Sequence, residues 1–359
     1  MISFEPTEDQ QMVRDTVASF SREQIRPAAR EADESGQIPD SLIQQAWELG
    51  LVQNAIPEEF GGYGDRSAIS SALVCEELGW GDLSIALHVL APRLAIYPVL
   101  ELGTDAQRQQ VVPAYTGSQF VAGTAAMMEP RFNFDPHEMQ TTATRQNEHV
   151  VLNGSKCYVP LAPDAQHTIV YARGEQGLTA VIVPHGTPGL RIAEREKNMG
   201  LKALRTYEIQ LEGVQLPTSA QITGDFTPLF NRSRVALASL AVGVARAAFE
   251  YARDYAKERH AFGTAIGRKQ AIAFMLAEMA IEIDATRLLT WEAAWKIDRG
   301  EDATREASLA RNYAANMVLK VTDNAVQVLG GHGYIRDHLV ELFLRNGRGF
   351  STFEGLAIA

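Results

Sequence analysis

The chain has 359 residues, 46% of them apolar, and a formal net charge of −11. That length exceeds what one core usually fills, so two or three subdomains are expected. The acidic balance argues against a nucleic-acid binder and against docking on anionic membranes.

Two cysteines, Cys75 and Cys157, with no CxxC and no His/Cys cluster, give neither a disulfide framework nor a structural zinc site. A reducing, cytoplasmic location is therefore expected. No secretory leader pattern opens the chain, and the most apolar stretch, LSIALHVLAPRLAIYPVLELG, is broken by Pro92, Arg93 and Pro98, which argues against a membrane span.

Residues 1–120 read as a helical domain. Thr7 followed by Gln10 is a capping-box pattern, and Val13, Val17 and Phe20 then line one face. PDSLIQQAWELG has Pro39 near its start and Gly50 beyond its end, and PEEFGGYG (57–64) reads as a loop. SAISSALVCEELG predicts a helix that stops at Gly79. Over 121–225 the pattern changes to short β-rich runs, HVVLNGSKCYVPL, HTIVYAR, LTAVIVP and YEIQLEGVQLP, which predict a small antiparallel sheet or barrel with a hairpin turn at Asn153-Gly154. Over 226–359 helical periodicity returns. Leu237, Leu240, Val244, Ala248, Tyr251 and Tyr255 form one stripe, Ile272, Met275, Met279 and Ile283 another, and Leu309, Tyr313, Met317, Val321, Ala325 and Val328 a third. Three long amphipathic helices need a fourth, or a partner chain, to close a bundle.

The chain ends FSTFEGLAIA, with one carboxylate, Glu354, in an apolar tail. Either the terminus is frayed and the side chain wet, or the carboxylate is held in a poorly solvated place for proton transfer. PEEFGGYG after an ELGL segment, LNGSKCYV, YAKERHAFGTAIGRKQAIAFMLAEMA, DNAVQVLGGHGYIRD and the terminal FEG occur in an order and spacing that resembles the acyl-CoA dehydrogenase family, over essentially the whole chain. The resemblance implies a mainly α fold with a central β-domain: an N-terminal helical domain, a β-barrel or sheet domain and a C-terminal four-helix bundle. It also implies FAD bound between subunits, hence a homodimer or homotetramer, and oxidation of acyl thioesters at the α and β carbons.

On that resemblance Glu354 is the general base that takes the α proton, while flavin N5 takes the β hydride. Ser233 stands where some members carry an alternative acid, so Glu354 has no rival. Arg259 is implied at the FAD pyrophosphate, where a guanidinium suits a diphosphate, its alternative being a solvated helix charge. Phe262 would pack on the cofactor or be ordinary core, and Gln270 would bond the dinucleotide or be a surface glutamine. Gln327, with Gly330 and Gly331, corresponds to the segment reaching the neighbouring subunit's FAD, or simply caps a helix. Phe353 takes the place of a pocket-lining aromatic. Arg234, Phe230 and Asn231 match positions near the thioester and CoA, with a capped helix start as the alternative.

The chain departs from the pattern at three places. TEPGAGSD becomes MEPRFNFD (128–135), so Met128 replaces a hydroxyl facing the flavin, and Arg131, Phe132, Asn133 and Phe134 replace small residues. Either the acyl or pantetheine channel is expected to be narrowed and re-aimed, or it accepts a differently shaped substrate. Arg131 could meet an anionic group or be a solvated loop arginine. The family's Trp-Ile-Thr becomes Tyr158-Val159-Pro160, and Pro160 offers neither hydroxyl nor N–H. After FEG, Leu356 and Ile358 lack polar groups for the cofactor, and the family's further helix is expected to be missing.

The leading expectation is a FAD-dependent dehydrogenase of acyl-CoA or carrier-bound acyl groups, with an electron-transfer flavoprotein as its implied reoxidant. The alternatives are a flavin oxidase or monooxygenase on the same fold, or a degenerate binding or assembly subunit. No metal is expected.

Overall fold

The computed structural model describes residues 5–64 and 66–359. The N-terminal region is helical: α1 (Glu8–Phe20), α2 (Arg26–Ser35), α3 (Asp40–Glu48), α4 (Ala68–Gly81), α5 (Leu83–Leu90), α6 (Pro92–Leu102) and α7 (Asp105–Val111). The capping box at α1 forms as its spacing predicts. Gln10 N–H donates to Thr7 Oγ1 at 3.3 Å, and Thr7 N–H donates to Gln10 Oε1 at 3.0 Å. PEEFGGYG forms a single 3-10 turn, Glu58–Phe60, followed by loop.

Helix α4 runs past Gly79 to Gly81, two residues beyond the predicted stop. Gly79 serves helix contact rather than termination. A Cβ there would lie 2.6 Å from Leu240 O, and one on Gly243 would lie 2.1 Å from Glu76 O, so α4 and the long helix α8 (Thr227–Glu258) cross backbone to backbone. The apolar run of α5 and α6 is interior, and so is the arginine that interrupts it. Arg93 is buried and donates through Nε (3.0 Å) and Nη2 (2.6 Å) to Leu51 O.

The central region is one sheet of eight strands: β1 (Gly123–Ala126), β2 (Thr142–Gln146), β3 (His149–Pro160), β4 (His167–Gly174), β5 (Gly177–Pro184), β6 (Leu190–Arg195), β7 (Thr206–Pro217) and β8 (Gln221–Ile222). Their order is β6-β7-β3-β2-β4-β5-β8, with β1 beside β4. The sheet is mixed rather than purely antiparallel, because β1 and β2 each pair parallel with β4. The β2–β3 turn sits at Asn147, which takes φ 56°, and not at Asn153-Gly154. Those two residues lie inside β3, where the pairing with β7 shifts register after Leu152 and Asn153 Oδ1 accepts Gly213 N–H at 2.8 Å. Val150, Leu152, Val159, Val170, Val181 and Ile209 fill this domain's core.

The chain then forms α8 (Thr227–Glu258), a small hairpin of β9 (His260–Ala261) and β10 (Thr264–Ala265), α9 (Gln270–Asp298), α10 (Thr304–Leu329), the single turn α11 (Gly331–Tyr334) and α12 (Val340–Gly347). Helices α8, α9, α10 and the short α12 make the C-terminal bundle. Helix α8 is long and apolar enough to cross a bilayer, but 78% of its most apolar window is buried inside the bundle, the mark of a core helix. The first stripe buries Leu237, Leu240, Val244 and Ala248, whereas Leu309 and Tyr313 of the third are exposed. They precede the buried part of that stripe, which begins at Met317. Tyr313 instead donates to Glu282 Oε2 on α9 at 2.6 Å.

The tail turns inward. Phe353, Leu356, Ala357 and Ala359 join the helical core, and Ile358 joins the cluster around Tyr171 and Phe226.

Candidate active site

A cavity of about 1100 Å3 opens where the β-domain, α8, α10 and the tail meet. Its lining includes Met128, Arg131, Tyr158, Arg234 and Glu354, so residues more than two hundred positions apart come together.

The β side of the cavity is built on a buried ion pair that the sequence reading missed. Lys156 is 0% exposed; its Nζ donates to Met127 O at 2.9 Å and to Glu129 Oε1 at 3.2 Å, and lies 3.5 Å from Met139 Sδ. Glu129, itself 4% exposed, also accepts the amides of Gln140 (2.9 Å) and Thr141 (2.8 Å). Burial pushes the Glu129 carboxyl up, but these amides and the Lys156 charge outweigh it and hold the group at about 2. The loop between β1 and β2 is thus folded around Glu129. On one side of the pair is Met128, whose carbonyl accepts Cys157 N–H at 2.9 Å. On the other is Tyr158, at φ 52° within an irregular stretch of β3, its N–H donated to Glu196 Oε1 at 3.1 Å. The Cys157 thiol is pushed up to about 12, chiefly by burial, so it is no nucleophile at neutral pH.

Arg131 is half-buried rather than solvated. Its Nε donates to Glu129 Oε2 at 3.2 Å, its Nη2 to Glu138 O, and its guanidinium lies 5.9 Å from the Phe134 ring centre. Phe132 points out, 97% exposed.

The tail presents Glu354 from the other side, its side chain 24% exposed. Gly355 follows at φ 70°, and a Cβ there would sit 2.6 Å from Met127 Sδ, which is why the residue after the carboxylate is glycine. Arg311 on α10 donates from Nη2 to Phe353 O at 2.7 Å and lies 3.9 Å from Glu354 Oε2. Arg234 donates to Ser308 Oγ at 3.1 Å and to Asn231 Oδ1 at 3.4 Å.

Three expected site residues are placed elsewhere. Phe353 is buried against Phe350, ring centres 5.5 Å apart, and contributes a carbonyl rather than a ring. Phe230 packs in the interior edge-on to His137 and beside Tyr171. Asn231 is buried and donates to Thr304 Oγ1 at 3.1 Å, tying α8 to α10. None of the three is among the cavity's lining residues.

Arg259, Gln327, Gly330 and Gly331 line a second pocket of about 540 Å3 with Tyr255 and His332. The motifs ERHAFG and QVLGGHG, expected to face each other from different chains, therefore meet within one chain. No side chain fills the space over Gly330 and Gly331, leaving their backbone approachable. Phe262 is not core. It stands 96% exposed at the hairpin tip, with Lys269 Nζ 5.9 Å from its ring. Gln270 opens α9, also exposed, and is not part of either lining.

Comparison with known proteins agrees with this architecture. The acyl-CoA dehydrogenase N-terminal, middle and C-terminal domain families match residues 7–118, 124–214 and 226–357. The chain belongs to the acyl-CoA dehydrogenase family, whose members are oxidoreductases acting on CH–CH bonds. It is 37% identical to the probable acyl-CoA dehydrogenase YngJ of Bacillus subtilis, covering 100% of this chain and 99% of that one. Among solved structures, butyryl-CoA dehydrogenase from Megasphaera elsdenii superposes with a TM-score of 0.90 at 30% identity, covering 99% and 96% of the two chains. A glutaryl-CoA dehydrogenase from Mycobacterium smegmatis in complex with FADH2 gives 0.89 at 25% identity, covering 98% and 92%.

Proposed function

We propose that the chain oxidises an acyl thioester at its α and β carbons, with Glu354 as the base. The supporting observation is the placement of Glu354 on the wall of the same cavity as Met128 and Tyr158, with Arg311 anchoring the preceding carbonyl. A tail tied at Phe353 O presents the carboxylate at a fixed height, which general-base catalysis needs.

The residues present fit FAD. Arg259, Gln327 and Gly331 offer a guanidinium, an amide and open backbone suited to the pyrophosphate and ribose, and the exposed Phe262 is free to pack on a planar ligand. When bound, FAD supplies the hydride acceptor. Met128 and Tyr158 would border its ring, and Glu354 takes the α proton, which the thioester carbonyl acidifies.

The Met128–Tyr158 cavity and the Arg259–Gln327 pocket are separate, and two protomers are proposed to complete one site. Phe274, Ile281 and Leu288 recur every seventh residue on α9 and are exposed, an apolar stripe suited to such a dimer. An electron-transfer flavoprotein as reoxidant and a cytoplasmic location belong to the same reading.

The test is the visible spectrum of the purified protein and its bleaching by acyl thioesters. Glu354→Gln is expected to keep the flavin and abolish bleaching; full bleaching by that variant removes Glu354 from the mechanism. Three observations favour a flavin oxidase as a second reading: Met128 on the cavity wall has no hydroxyl, Pro160 is buried, and Leu356 and Ile358 are turned into the core. Rapid oxygen consumption by the reduced protein separates the two.

A further inference from the structure

The helical wall of the large cavity is polar in a way that oxidation of a plain alkyl chain does not require. Helix α10 supplies Ser308, Arg311, Asn312 and Asn316, and α8 supplies Arg234. Arg311 is 7% exposed. Its distance of 3.9 Å from Glu354 is too long for a hydrogen bond, and its Nε is buried without an acceptor among the described residues. Burial lowers its pKa, the Glu354 carboxylate opposes that and the Arg234 charge adds to it, so two cations share one carboxylate in this region. Two guanidinium groups beside one carboxylate leave positive charge on this wall, and an oxyanion is the group that answers it. Beyond Glu354 the apolar tail residues Leu356, Ala357, Ile358 and Ala359 are packed into the cores and do not line the cavity.

We propose that this wall is a subsite for an anionic acyl end: the substrate is a short acyl thioester whose far end carries a carboxylate, received by Arg311 with Arg234 beside it. The inference rests on the dehydrogenase reading and names the substrate class of that same site. A carboxylate in the cavity balances the charges of the two guanidinium groups that line it. A methyl end of equal length leaves both unanswered, and sites built around polar groups reject such analogues strongly.

The test is calorimetric titration of the purified full chain, as isolated with its flavin, using glutaryl-CoA, hexanoyl-CoA of matched length, and free CoA. Glutaryl-CoA is expected to bind roughly ten- to hundredfold more tightly than hexanoyl-CoA, and Arg311→Met to erase most of that ratio, with Arg311→Lys retaining part of it. Equal or tighter binding of hexanoyl-CoA overturns the proposal. So does free CoA binding as tightly as glutaryl-CoA, absence of measurable glutaryl-CoA binding, or a folded Arg311→Met protein with the ratio intact. Arg311 also anchors Phe353, so if Arg311→Met fails to fold, the wild-type ratio decides alone. A glutaryl-CoA preference with no flavin bleaching by either thioester refutes the dehydrogenase reading and leaves the subsite standing.

Discussion

Replacing Glu129 by Gln tests whether the buried pair supports the β side of the cavity. The substitution keeps the shape and removes the charge, leaving Lys156, which has no exposed surface, with Met127 O at 2.9 Å and Met139 Sδ at 3.5 Å. Removing one partner of a buried pair costs about 3–5 kcal/mol. The amide oxygen of Gln can still accept one of the Gln140 or Thr141 N–H groups, so a loss of about 2–4 kcal/mol is expected.

The pH dependence gives an independent check. The folded value of about 2 lies below the ordinary 4.5, so the stabilisation from Glu129 is fully present above pH 4.5 and disappears as pH falls through 2. A displacement of that size corresponds to about 3 kcal/mol, in line with the estimate for the substitution. Urea denaturation should show a large gap between wild type and Glu129→Gln at pH 7 that narrows steadily from pH 4.5 downward. A gap below about 1 kcal/mol at pH 7, or one that does not narrow in acid, would refute the reasoning.

Gly243→Ala pushes α4 from α8, because the new Cβ meets Glu76 O at 2.1 Å; a loss of about 2–4 kcal/mol is expected, and an unchanged melting temperature contradicts the close crossing. Arg259 is exposed, so Arg259→Ala should leave stability within about 0.5 kcal/mol while weakening FAD binding roughly tenfold or more in a fluorescence titration. Unaltered FAD affinity removes Arg259 from the cofactor site. Phe274→Glu combined with Ile281→Glu should shift the protein to a smaller species on sizing with its circular dichroism preserved. Unchanged size moves the subunit interface away from α9.

The helices were legible because their burial follows local spacing. Leu237, Leu240, Val244 and Ala248 point inward as a 3.6-residue period requires, and Thr7 with Gln10 caps α1 as their types dictate. Predictions failed where a residue's neighbours come from elsewhere in the chain. Gly79 has the composition of a helix end, yet its role is set by Leu240, 161 positions away. Asn153-Gly154 has the composition of a turn, yet β7 pairs across it and makes it an irregularity within a strand.

The site divides along the same physical line. Glu354, Arg234, Met128 and Tyr158 were found because short words carry them, and the cavity unites all four. Arg311 stands in a helix whose alternation marks it only as one more polar residue, and Lys156 reads as the polar half of a strand pattern. Their burial is created by contacts no local window contains. Lys156 is covered when the loop holding Glu129 and Met139 folds over it, and Arg311 when the tail lays Phe353 O against its guanidinium. A buried cation is stable only where such partners arrive. The positions hardest to read from sequence are therefore those where the fold concentrates charge, and one of them, Arg311, lies 3.9 Å from the carboxylate proposed for proton transfer.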